Sequence, residues 1–61
     1  MRADLKLISD LVQPNSRLLD LGCGDGELLA ELKESKAVRG YGLDVDPNNI
    51  EKCLKKGVNV I

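Results

Sequence analysis

The stretch Leu18–Leu29, "LLDLGCGDGELL", decides the fold. It joins a short apolar run to a leucine-rich amphipathic segment through three glycines at alternate positions, Gly22, Gly24 and Gly26. "RLLDL", Arg17 to Leu21, has the length of a buried strand rather than a helix. After it, Asp25 or Gly26 opens a helix, "ELLAELKESK". Leu28, Leu29 and Leu32 form its apolar stripe, Glu27 favours its first turn, and Lys33 and Lys36 favour its last. A glycine-rich connection from strand to helix is a cofactor signal, because glycine lets backbone turn sharply and approach a ligand without a Cβ in the way.

The same grammar extends outward in both directions. Residues 2 to 12 read as a helix with Leu5, Ile8, Leu11 and Val12 on one face, ended by the turn residues of "QPNS". "RGYGLDV", residues 39 to 45, reads as a second strand, weakened by two glycines. "DPNN" starts a third helix, with Asp46 as N-cap and Pro47 at its first position. Ile50, Cys53 and Leu54 form its apolar stripe, and Gly57 stops it. "VNVI" begins a third strand. Alternating strands and helices predict an α/β fold: a Rossmann-like parallel sheet, partial, with a leading helix and then β-α-β-α-β. The first strand is left with an open edge, which invites self-association.

Composition narrows the chemistry. The chain has 61 residues and a net charge of −1, with acids and bases mixed, so it carries no basic footprint for nucleic acid. A domain of this size buries only ~60% of the surface of its unfolded chain. One Tyr, no Phe and no Trp leave no stacking platform. Two Cys thirty positions apart and no His do not make a zinc pattern, and no metal is expected. No apolar run is long enough to span a bilayer, and the leading segment lacks a signal-peptide core. The expectation is a soluble cytoplasmic protein.

Charge then selects the ligand. A dinucleotide fingerprint needs G-x-G-x-x-G, but the third position here is Glu27; a Walker loop needs Gly-Lys-Ser/Thr, and the turn has no Lys or Ser. Asp20, Asp25 and Glu27 would surround a pyrophosphate with carboxylates. Each repulsive pair at ~4 Å costs several kcal/mol at an effective dielectric near 20. A cationic cofactor without phosphate reverses that sign, and S-adenosylmethionine has a sulfonium, an ammonium and an adenosine. Asp20, at the end of the first strand, is placed for the ammonium. Asp44, at the end of the second, is placed for the ribose hydroxyls, eighteen positions after Gly26. For Asp25 capping is the stronger reading, and for Cys23 small-residue packing is, since no His is present to activate a nucleophile.

"LLDLGCGDGELL" followed by "GYGLDVDPNNIEKC" resembles the first motif and second-strand acid of class I S-adenosylmethionine-dependent methyltransferases. With "GVNVI" and the leading "MRADL" helix, the chain is most similar to the methionine biosynthesis protein W (MetW) family. The resemblance covers residues 1–61 as a single segment, the amino-terminal cofactor-binding portion of a larger methyltransferase-like domain. It implies that Asp20, Gly22, Gly24 and Gly26 line the methionine and ribose side, with Cys23 in the same turn. Asp44 then binds the ribose and Val45 flanks the adenine. The implied cofactor is S-adenosylmethionine or S-adenosylhomocysteine, and the implied partner a homoserine acyltransferase. Two readings stay open. One is a methyltransferase, with this segment inactive alone. The other is a non-catalytic cofactor-binding protein that modulates the acyltransferase.

Overall fold

A computed structural model describes residues 3–61. Its elements are α1 (Ala3–Leu11), β1 (Arg17–Leu21), α2 (Glu27–Lys36), β2 (Arg39–Leu43), α3 (Pro47–Lys55) and β3 (Asn59–Val60). The expected start of the first helix at Arg2 lies outside the described residues. The strands form one parallel sheet in the order β1-β2-β3, with Leu19 opposite Tyr41 and Tyr41 opposite Asn59. This is the partial Rossmann-like sheet that the alternation of elements predicts. Sequential parallel strands joined by crossovers of one hand place both connecting helices on one face of the sheet.

That one-sided cover leaves one face of β1 exposed where its apolar run predicts a buried strand. Leu18 and Asp20 of β1 turn toward the helices and are half-buried, while Leu19 and Leu21 are 59% and 71% exposed. Tyr41 and Ile61 stand exposed on the same side as Leu19. The core lies beneath α2 and α3, where Leu29, Cys53 and Val58 pack against Leu18, Cys23, Ala30 and Val60. Leu32 and Val38 are also buried.

The two glycines of β2 are what bring α2 down onto the sheet, so they are packing devices and not weaknesses. A Cβ on Gly40 would stand 2.5 Å from Leu29 Cδ2. One on Gly42 would collide with Cys23 Sγ and reach 2.9 Å from its Cβ. Bare backbone at these two positions seats both the helix and the turn that precedes it.

Two apolar stripes differ from expectation. In α1 and just after it the inward residues are Leu5, Ser9 and Val12, while Ile8 is 47% and Leu11 82% exposed. The carbonyls of Ser9 and Val12 accept from Lys36 Nζ at 2.7 and 2.9 Å, so the cation of α2 fixes the rotation of α1 by capping its end. In α3 Cys53 is fully buried and Ile50 half-buried, but Leu54 is 62% exposed. The start of α3 is as predicted: Asp46 accepts from Asn48 N at 2.9 Å, and Pro47 takes the first position. Among the described residues no helix is long and apolar enough to cross a membrane.

The C-cap of α2 is Ala37, held in the left-handed region with φ +53°. A side chain there costs ~1–2 kcal/mol relative to a right-handed conformation. We predict that Ala37→Gly raises the unfolding free energy by about 1 kcal/mol. Gly42→Ala should lower it by ~1–3 kcal/mol through overpacking against Cys23. Urea denaturation followed by far-UV circular dichroism checks both.

Candidate functional site

The turn between β1 and α2 is pinned by the end of β2. Leu43 O accepts from both Gly22 N (2.7 Å) and Cys23 N (3.0 Å). Gly24 N donates to Asp44 Oδ2 at 2.9 Å, and Gly26 N to Cys23 O at 3.2 Å. Asp25 Oδ1 accepts from Glu27 N at 3.1 Å, which satisfies a further amide at the start of α2. Of the donors that a phosphate site would aim at its ligand, the amides of Gly22, Cys23, Gly24, Gly26 and Glu27 are therefore engaged within the protein. Gly22 and Gly24 hold φ values of +73° and +60°, where a side chain is strained, and a Cβ on either would meet open space. The turn thus needs glycine for its shape and leaves its outer surface bare.

The space beside it is a cleft of about 490 Å³ at the carboxyl end of β1. Asp20, Gly22, Cys23, Gly24, Asp25 and Glu27 form one wall, with Leu5, Ile8, Leu28, Asn49 and Lys52 around it. Crevices outside the carboxyl ends of parallel strands are where open α/β sheets bind ligands.

Each acid has a distinct state. The Asp20 carboxylate is half-buried and receives no hydrogen bond or ion pair among the described residues; burial raises its pKa above the ordinary carboxylate value. Asp25 caps the start of α2 and pairs with Lys56 at 3.2 Å. The Glu27 amide and then Lys56 hold its pKa down. Asp44 also accepts from Asp46 N at 2.8 Å, and this bond, with that of Gly24 N, lowers its pKa. Asn49 and the Val45 amide add smaller contributions in the same direction.

Of the residues singled out in the sequence, Asp20, Gly22, Cys23 and Gly24 line the cleft together. Asp44 touches the turn from the neighbouring strand end without lining that cleft, and Val45 beside it is 99% exposed. Gly26 is buried behind the turn, where a Cβ would stand 2.9 Å from Cys53 Sγ. The remaining wall was not read in advance. Leu5 and Ile8 overhang the cleft from α1; an apolar residue left exposed on that helix was the available signal. Asn49 and Lys52, on successive turns of α3, gave none.

A family model described as "Methionine biosynthesis protein MetW" matches residues 2–61. A probable tRNA (uracil-O(2)-)-methyltransferase of Caenorhabditis elegans is 40% identical over 52 residues, 85% of this chain and 9% of that protein. Among solved structures, YJHP from E. coli superposes with a TM-score of 0.85 at 21% identity, over 100% of this chain and 29% of its own. An S-adenosylmethionine-dependent methyltransferase from Geobacter sulfurreducens, in complex with S-adenosyl-L-homocysteine, gives 0.74 at 24% identity, over 100% of this chain and 28% of its own. The chain therefore has the fold of the opening part of such methyltransferases and spans less than a third of either structure.

The three acids predict opposing pH effects. Asp25 and Asp44 have lowered pKa values when folded, so they stabilise the protein above the ordinary carboxylate range, and that contribution is lost as pH falls through their depressed values. Asp20 has a raised value, so its ionised form opposes folding at neutral pH, and acid relieves that penalty. The thermal midpoint should fall from about pH 6 to about pH 3 in the native chain. It should fall less in a variant carrying Asp25→Asn and Asp44→Asn. Calorimetric scans across that range check the slopes.

Proposed function

Because the chain belongs to the methionine biosynthesis protein MetW family, we propose that it forms the S-adenosylmethionine-binding part of a class I methyltransferase-like protein. The observation that carries this reading is the Asp20 carboxylate, half-buried in the cleft without a partner. An ionised acid in that position is stabilised by a cation, and the α-ammonium of S-adenosylmethionine or S-adenosylhomocysteine supplies one. The turn adds the second constraint. The amides of Gly22, Cys23 and Gly24 already serve Leu43 O and Asp44, so a phosphate gains little from these three.

In this reading Gly22, Cys23 and Gly24 lie against the methionine moiety, and Gly26 keeps the turn close to α3. Asp44 accepts the ribose hydroxyls, and Val45 covers one side of the adenine. Leu5, Ile8 and Leu28 shield the aliphatic part of the ligand from water. The cofactor supplies the activated methyl group, and transfer is a direct displacement by an acceptor atom. The protein contributes orientation and the exclusion of water. The single 61-residue segment is the cofactor-binding portion of a larger domain, and the methyl acceptor is met outside it.

A second reading rests on the family's description, which names a biosynthetic route and not a methyl transfer. There the same cleft senses S-adenosylmethionine or S-adenosylhomocysteine, and the protein modulates a homoserine acyltransferase of methionine biosynthesis without transferring a methyl group. Consumption of S-adenosylmethionine by the parent protein supports the first reading. A change in acyltransferase activity without consumption supports the second. Both place the protein in the cytoplasm.

Isothermal titration with S-adenosylhomocysteine tests the site common to both. Loss of a charge-assisted bond predicts about 10- to 100-fold weaker binding in Asp20→Asn. The same substitution should raise the thermal midpoint of the ligand-free chain, because it removes the half-buried charge. Equal affinity in Asp20→Asn and in Asp44→Ala would contradict the assignment.

A further inference from the structure

Two thiols meet at the glycine turn, and the cofactor site as proposed gives neither sulfur a chemical role. Cys23 lies in the turn and Cys53 on α3, with their sulfurs 3.8 Å apart. Both are free cysteines. Both sulfurs face one carbonyl: Cys53 Sγ donates to Gly24 O at 3.3 Å and Cys23 Sγ approaches it at 3.7 Å. Cys53 is fully buried, whereas Cys23 is half-buried and lines the open cleft.

We propose that Cys23 and Cys53 form a reversible disulfide that ties the β1–α2 turn to α3, with Cys23 as the entry thiol and Cys53 as the resolving thiol. A disulfide holds its sulfurs ~2 Å apart, so closure requires about 1.8 Å of travel from the observed contact. The oxidant is a low-molecular-weight disulfide such as oxidised glutathione. The Cys23 thiolate attacks it, forms a mixed disulfide and expels one small thiolate, which takes up a proton equivalent to the one Cys23 lost. The Cys53 thiolate then attacks the Cys23 sulfur and expels the second small thiolate. Two protein thiols are oxidised, and one small disulfide is reduced to two thiols.

The order of events follows from access. A reagent in the cleft reaches Cys23, while Cys53 is shielded by Gly26, Val58 and the turn itself. Burial, the Cys53 thiol and the carboxylates of Asp20 and Asp44 push the Cys23 thiol up to about 11. Glu27 of α2 and Lys52 of α3 face the same cleft. Exchange is therefore slow at neutral pH and quickens as pH rises, because only the thiolate attacks. Closure removes both S–H groups from Gly24 O and draws Cys23 off Gly42, so it acts on the turn whose amides Leu43 and Asp44 hold.

The test is to incubate the folded chain with oxidised glutathione, quench with iodoacetamide and measure intact mass and peptide connectivity. The expected product is monomeric, lacks alkylatable thiols, weighs less than the reduced chain by two hydrogens and links residue 23 to residue 53. Dithiothreitol should restore both thiols. Cys53→Ser should accumulate the glutathione adduct on Cys23, and Cys23→Ser should leave Cys53 unmodified while circular dichroism stays native. The inference is overturned if the native chain stops at the Cys23 adduct, keeps both thiols after prolonged exposure, or links only between chains. The native chain alone decides this, should either variant fail to fold.

Discussion

The carbonyl of Leu43 and the carboxylate of Asp44 hold the glycine turn in place, and the site depends on that grip. One oxygen takes two successive amides, from Gly22 and Cys23, and the next residue takes the amide of Gly24. The turn is thereby locked to the end of the neighbouring strand before any ligand arrives. Its outer surface is bare glycine, and its charged neighbours are Asp20, Asp25 and Glu27, with Lys52 across the cleft and Lys56 paired to Asp25. Five amides of the turn are spent within the protein, and the Asp20 carboxylate remains without a hydrogen bond among the described residues. In the proposed reading the same residues that position the loop also favour a cationic ligand over a phosphate.

The rest of the fold serves this arrangement. Gly40 and Gly42 have no side chains, so Leu29 and Cys23 settle directly on β2, and α2 begins where the turn ends. Asp46 and Pro47 launch α3 at once after Asp44, which brings Cys53 under Gly26. Lys36 of α2 reaches back to α1 and orients it so that Leu5 and Ile8 overhang the cleft. The cost of the design sits on Asp20. A half-buried carboxylate without a hydrogen bond among the described residues opposes folding.

Most of the architecture was legible because its signals are local. The strand-turn-helix of Arg17–Lys36 follows from apolar run length and glycine spacing. The start of α3 follows from Asp46-Pro47, where a cap and a fixed φ act within four residues. Tertiary context decided the rest. Periodicity gave Leu11 and Leu54 to the core, but the pull of Lys36 on α1 and the narrow contact of α3 around Cys53 leave both exposed. An apolar run does not reveal whether one face of a strand or two will be covered, so the exposure of Leu19 and Leu21 was hidden. Gly40 and Gly42 read as weak strand residues because their purpose is visible only once Leu29 and Cys23 lie against them. In the candidate cleft, Asp20, Gly22 and Gly24 are the residues that motif and charge single out, while Gly26 lies behind the turn. Asn49 and Lys52 carry no motif and reach the cleft only through the crossover of α3.

The measurement that bears most directly on the choice of ligand is a nuclear magnetic resonance titration of the ¹⁵N-labelled chain. S-adenosylhomocysteine and NAD are added separately, and the amides of residues 20 to 26 are followed. The account predicts saturable shifts at Gly22, Gly24 and their neighbours with S-adenosylhomocysteine and none with NAD at the same concentrations. Saturable shifts of those amides with NAD, with S-adenosylhomocysteine leaving them unmoved, would contradict it.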